Sequence, residues 1–101
     1  MTTIYTPDRW ILLDFTTPEY GVIRKVFAGW YGGYLGSDSW KLSSGIVETK
    51  DNGDHYEFLN ESGSTYICYK EAKRMSSYMA MTLHGWKDKL PDDIKIEVDD
   101  E

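Results

Sequence analysis

Period-two alternation of apolar residues, broken by turn signals, constrains this chain most. It dominates the first seventy residues. Arg9–Phe15 (RWILLDF) reads as a strand, with Trp10 and Leu12 pointing one way and Ile11, Leu13 and Phe15 the other. Apolar side chains on both faces predict a central strand or one covered by a helix. Thr16-Thr17-Pro18-Glu19 is a turn, because Pro18 cannot donate to a ladder. Tyr20–Trp30 is the second strand. Val22, Arg24, Val26 and Trp30 share one face, and Ile23, Lys25 and Phe27 the other. Strands follow over Trp40–Glu48, His55–Leu59 and Thr65–Lys70, joined by Lys50-Asp51-Asn52-Gly53-Asp54 and Asn60-Glu61-Ser62-Gly63. Both connections are hairpin turns, the first because Asn-Gly tolerates the positive φ of tight turns.

The period changes after Lys70. Met75, Met79, Leu83, Trp86 and Leu90 fall at spacings of 4, 4, 3 and 4, a single helical stripe. Ser76 or Ser77 can cap its start, and Pro91 stops it. Gly85 weakens the helix by about 1 kcal/mol relative to alanine. The pattern predicts an α+β fold over residues 1–90. It comprises an antiparallel sheet of about five strands, a curved or barrel-like meander, with one C-terminal helix packed on it.

Charge divides unevenly. The net charge is -6, yet residues 91–101 hold six acids and one base. The remaining ninety residues are nearly neutral. Residues 91–101 therefore read as an acidic tail, a frayed end in preference to an edge strand of Ile94, Ile96 and Val98 formed on assembly. A neutral body with no basic stripe argues against a nucleic-acid-binding or DNA-mimicking face. No apolar run approaches the roughly 20 residues of a membrane helix, and MTTIYTPDRW has no secretory pattern. The one cysteine, Cys68, fits a reducing compartment. It cannot join His55 and His84 in a zinc site at ordinary ligand spacings. No P-loop, dinucleotide fingerprint or nucleophile elbow is present. No nucleophile–base spacing or positioned carboxylate pair appears, so the expected function is binding without catalysis or cofactor.

Trp30–Trp40 is the most unusual segment: eleven residues with four aromatics and three glycines. Glycine admits close backbone approach, and aromatic faces stack on planar rings. Trp30 and Trp40 suit either a core or a ligand, while Tyr31 and Tyr34 lie nearer the loop tip. Arg24 can snorkel to the sheet edge or grip phosphate bidentately. Lys73-Arg74-Met75-Ser76-Ser77 puts cations and hydroxyls at a helix N-terminus, where anions are favoured. Fifteen aromatics in 101 residues exceed what so small an interior encloses, which leaves some for a ligand or another subunit.

The runs WYGGYLGSDSWKLSSGI, DNGDHYEFLNESGSTYICYK and MSSYMA, with the order sheet then helix, resemble small early proteins of tailed bacteriophages. Among these the chain resembles the first type of the Thoeris anti-defence sponge family, covering about residues 9–86. That family has more helical content than the one helix read here. The resemblance implies a cytoplasmic, homo-oligomeric protein of an infected bacterial host. It would sequester a nucleotide second messenger, a cyclic ADP-ribose isomer or a cyclic oligonucleotide, without cleaving it. In this reading Tyr31, Tyr34, Trp40 and Phe58 stack on the base, Arg24 and Arg74 neutralise phosphate, and Asn60 and Ser76 bond ribose or phosphate oxygens. The alternative is a phage inhibitor that binds a host CRISPR or restriction component directly, through the acidic tail and exposed aromatics.

Overall fold

The computed structural model describes residues 3–32 and 39–99. The chain runs β1 (Ile4–Tyr5), β2 (Arg9–Thr17), β3 (Gly21–Trp30), β4 (Ser39–Leu42), β5 (Ile46–Asp51), β6 (His55–Asn60), β7 (Thr65–Tyr69), a 3-10 turn (Lys70–Ala72), α1 (Ser77–Lys89) and β8 (Lys95–Asp99). The strands form two four-stranded sheets, in the orders β1-β7-β6-β5 and β4-β3-β2-β8. The fold is α+β as expected, but the single five-stranded sheet is corrected to two sheets. The meander is also not wholly antiparallel, because β1 pairs parallel with β7.

Two events shape the division. The stretch predicted as one strand over Trp40–Glu48 breaks at Ser43–Gly45, where the chain leaves the second sheet for the first. Ser43 makes the exit: its N–H donates to Val26 O at 2.9 Å and its hydroxyl accepts from Val26 N–H at 2.8 Å. These bonds satisfy the β3 backbone where β4 ends. The second event is at the C-terminus. Residues 95–99 pair antiparallel with β2, Leu12 opposite Asp99 and Phe15 opposite Ile96. The tail reading is corrected for this segment: Ile96 is buried on the helix side, so the strand forms within one chain.

The alternation of β2 and β3 creates two cores, one on each face of the same hairpin. Trp10, Leu12, Val26 and Ala28 pack against Phe58, Tyr66 and Cys68 between the sheets. Ile11, Leu13 and Phe27 pack on the opposite face against Met79 and Leu83 of the helix, with Met75, Trp86 and Leu90 around them. The predicted stripe is the buried face of α1. Ser76 is its N-cap, its hydroxyl accepting from Met79 N–H at 3.2 Å. Among the described residues no helix is long and apolar enough to cross a membrane.

Three hairpin turns carry glycine at positive φ: Gly53 at 92°, as the Asn-Gly pair predicts, Gly63 at 91°, and Gly21 at 70°, which the sequence reading places inside the second strand. Gly29 serves a different purpose. A Cβ there would overlap the Sδ and Cγ of Met79, so the missing side chain lets helix and sheet close up. Gly85 has open space around its Cα.

Two predictions follow from this packing. Gly29→Ala should lower stability by about 1–3 kcal/mol through overpacking against Met79, and Gly85→Ala should raise it by about 1 kcal/mol through helix propensity; urea unfolding of both variants checks the opposite signs. Burial also pushes the Tyr66 phenol up from 10.0 to about 12, and the Cys68 thiol up from 9.0. Both groups hold their protons in the fold after the unfolded chain has begun to lose them. Their stabilisation is complete below about pH 9 and is lost as pH rises toward about 12. The urea midpoint should fall between pH 8 and pH 11, and less so in Tyr66→Phe.

Candidate functional site

The face of the β2–β3 hairpin that covers the inter-sheet core turns polar toward the hairpin tip. Asp14 of β2 lies opposite Arg24 of β3. Arg24 Nε donates to Asp14 Oδ1 at 2.8 Å and Nη2 to Oδ2 at 3.3 Å. Nη2 also lies 2.9 Å from Asp99 Oδ2 of β8. The Asp99 side chain is only 7% exposed against 44% for Arg24, so the carboxylate is the more deeply held partner. The guanidinium thus ties three adjacent strands, by charge-assisted hydrogen bonds to Asp14 and an ion pair with Asp99.

Arg24 and Asp99 form one wall of a cleft between the two sheets, about 120 Å³ in volume. Trp10, Tyr56 and Phe58 supply rings on its other sides, and Thr49 of β5 a hydroxyl. Trp10 and Phe58 lie 5.6 Å apart between ring centroids, and Tyr56 and Phe58 are stacked at 5.5 Å. Trp10 meets Tyr56 edge-on at 6.1 Å. The Trp10 indole N–H donates to Tyr69 O at 2.7 Å, which locks its plane. Two lysines flank this wall. Lys70 Nζ lies 4.7 Å from the Tyr56 centroid and 2.9 Å from Asp51 Oδ1, and Lys73 Nζ lies 5.7 Å from the Trp10 centroid. The hydrogen bond from Lys70, and then that from Gly53 N–H, hold the Asp51 carboxyl below its ordinary range. The same hydrogen bond to Asp51 holds the Lys70 ammonium above its own.

The arrangement sets flat apolar surface beside a fixed guanidinium–carboxylate pair. Its size decides what fits. A dry cavity of about 150 Å³ holds one benzene, whereas drug-sized ligands occupy about 300–1,000 Å³. The cleft therefore takes a single ring, and anything larger must extend past its mouth. Among the described residues no group of three or more His, Cys, Asp or Glu side chains could hold a metal ion.

Of the residues singled out from sequence, Arg24 and Phe58 meet in this cleft. The others are spread across the molecule. Tyr31 sits beyond the opposite end of β3, exposed, its N–H donating to Asp8 Oδ2 at 2.9 Å and its ring 5.5 Å from the Arg9 guanidinium. Trp40 lies on the helix face of the second sheet, 4.9 Å from Trp86 and 5.8 Å from Phe27 between centroids. Asn60 is buried, its Nδ2 donating to Ser64 O at 3.1 Å across the β6–β7 turn. Ser76 is buried as the helix cap, its hydroxyl occupied by Met79 N–H. Arg74 is exposed ahead of the helix, its N–H donating to Ala72 O. Tyr34 lies outside the described residues. One pocket does not gather all eight, because the expected single sheet face is divided among two sheets and three layers.

Trp10, Thr49, Tyr56, Asp14 and Asp99 were not singled out from sequence. The Asp14–Arg24 pairing follows from the Thr17–Gly21 closing pair, whereas a turn at Thr16–Glu19, as read from sequence, sets Asp14 opposite Gly21. Nothing local in the sequence announced Asp99, which arrives on a strand distant along the chain.

Arg24→Ala would leave two carboxylates facing each other, one of them buried. Stability should drop by about 1–2 kcal/mol at pH 7, discounted for the exposure of the guanidinium. The loss should shrink in Arg24→Ala/Asp99→Asn, measured by urea unfolding; equal stability of Arg24→Ala and the parent would show that the pairing contributes nothing.

Comparison with family models, curated proteins and solved structures gave no match to this chain.

Proposed function

We propose that the protein is a non-catalytic binder that sequesters a small nucleotide messenger by taking one ring of its base into the inter-sheet cleft. One observation carries the reading: Trp10, Tyr56 and Phe58 line the same cleft as Arg24 and Asp99. Trp10 and Phe58 are buried, so the half-buried ring of Tyr56 supplies the stacking face, about 1–3 kcal/mol per base. A guanidinium paired with a carboxylate sets both signs of charge at one wall, which favours a polar base edge over a purely apolar ring. Arg24 bonds Asp14 and Asp99 within the chain, so in this reading it orients the base. The phosphates lie beyond the mouth, toward the ammonium groups of Lys70 and Lys73. A cyclic ADP-ribose isomer or a cyclic oligonucleotide exceeds one ring, and the rest of the ligand rests on this rim or on a second copy of the chain.

Titration calorimetry with a panel of cyclic nucleotides and ADP-ribose isomers tests the proposal. Heat should be released with a subset, and the ligand recovered after denaturation should be chemically unchanged. Tyr56→Leu keeps an apolar wall yet removes the stacking face, and should weaken binding roughly tenfold. Absence of heat across the panel would overturn the nucleotide assignment, and recovery of a cleaved ligand would overturn the non-catalytic one.

A further inference from the structure

A second concavity lies away from the cleft, between the β2–β3 turn and the α1–β8 connection. Thr17, Pro18 and Tyr20 line one side, Asp93 and Ile94 the other, and the volume is about 320 Å³. The turn does not need its largest residue. Tyr20 N–H donates to Thr17 Oγ1 at 3.1 Å and Gly21 supplies the positive φ, so any polar residue would serve at position 20. Yet Tyr20 is a tyrosine 74% exposed, with Val22 beside it at 64%. Both walls are anchored on paired strands: β2 and β3 stay in register to Thr17–Gly21, and β8 is paired from Lys95 onward. The groove is therefore preformed.

Charge identifies what it fits. The charged residues lining the groove, Glu19 and Asp93, are both acidic. Asp92 and Lys95 adjoin the lining in the chain, so the acidic groups still outnumber the one base. A second copy of the chain would bring the same carboxylates together across a two-fold axis, which costs energy. A basic partner would be steered in and retained.

We propose that this groove docks a basic, apolar-centred segment of another protein. One apolar side chain enters between Tyr20 and Ile94, and flanking arginine or lysine side chains meet Glu19 and Asp93. The surface is separate from the nucleotide cleft and independent of it.

Amide chemical-shift mapping on the full chain tests the docking, using three synthetic octapeptides: alternating Leu/Arg, Gly/Arg of equal charge, and Leu/Glu. The Leu/Arg peptide should bind at least tenfold tighter than either of the others and perturb Glu19, Tyr20 and Ile94. Tyr20→Ala should lose at least tenfold in affinity for it, as should the near-isosteric pair Glu19→Gln/Asp93→Asn, which keeps the turns intact. Equal affinity for Gly/Arg, shifts centred on another face, unchanged binding by both variants, or no Leu/Arg binding at millimolar peptide would each overturn the assignment.

Discussion

The β2–β3 hairpin is a plate with apolar side chains on both faces, and the molecule is assembled around it. Trp10, Leu12, Val26 and Ala28 require a cover on one side, and Ile11, Leu13 and Phe27 on the other. A chain of this size has enough material for one sheet and one helix besides the plate. The first sheet covers one face and α1 the other, giving three layers with two thin cores. Hydrophobic burial scales with area removed from water, so neither cover can be omitted without exposing a row of large side chains.

The plate is longer than its cover, and the candidate site follows from that mismatch. Toward the tip, residues on the inter-sheet face become Asp14, Arg24 and Asp99 in place of leucine and valine. A charge at such a boundary is tolerable when partnered, and Arg24 holds two carboxylates from neighbouring strands. The result is a junction between aromatic core and ionic edge, with Trp10, Tyr56 and Phe58 on one side and a fixed guanidinium–carboxylate pair on the other. Such junctions orient ligands, because stacking alone is indifferent to rotation in the plane whereas directional bonds are not.

Beyond the cover, the hairpin tip has a second character. It projects Tyr20 and Val22 into solvent beside the acidic α1–β8 connection. The neutral body and acidic terminus seen in the charge distribution thus become two kinds of surface: an aromatic cleft between the sheets and an anionic, apolar groove at the tip.

Local signals carried a large part of this architecture. Strand alternation, the Asn52-Gly53 turn, the α1 stripe with its Ser76 cap and the two-faced nature of β2 could all be read along the chain, because each depends on residues within a few positions of one another. The division into two sheets could not. It depends on Ser43 finding Val26 and on residues 95–99 returning to β2, contacts between distant segments whose free energies are settled only when the layers close. For the same reason Arg24 and Phe58 were recognisable as chemically capable residues, while their meeting, the arrival of Asp99, and the dispersal of Tyr31, Trp40, Asn60, Arg74 and Ser76 were decided by tertiary packing. Residue type sets what a side chain can do; which others it does it with depends on which face of which sheet its strand finally presents.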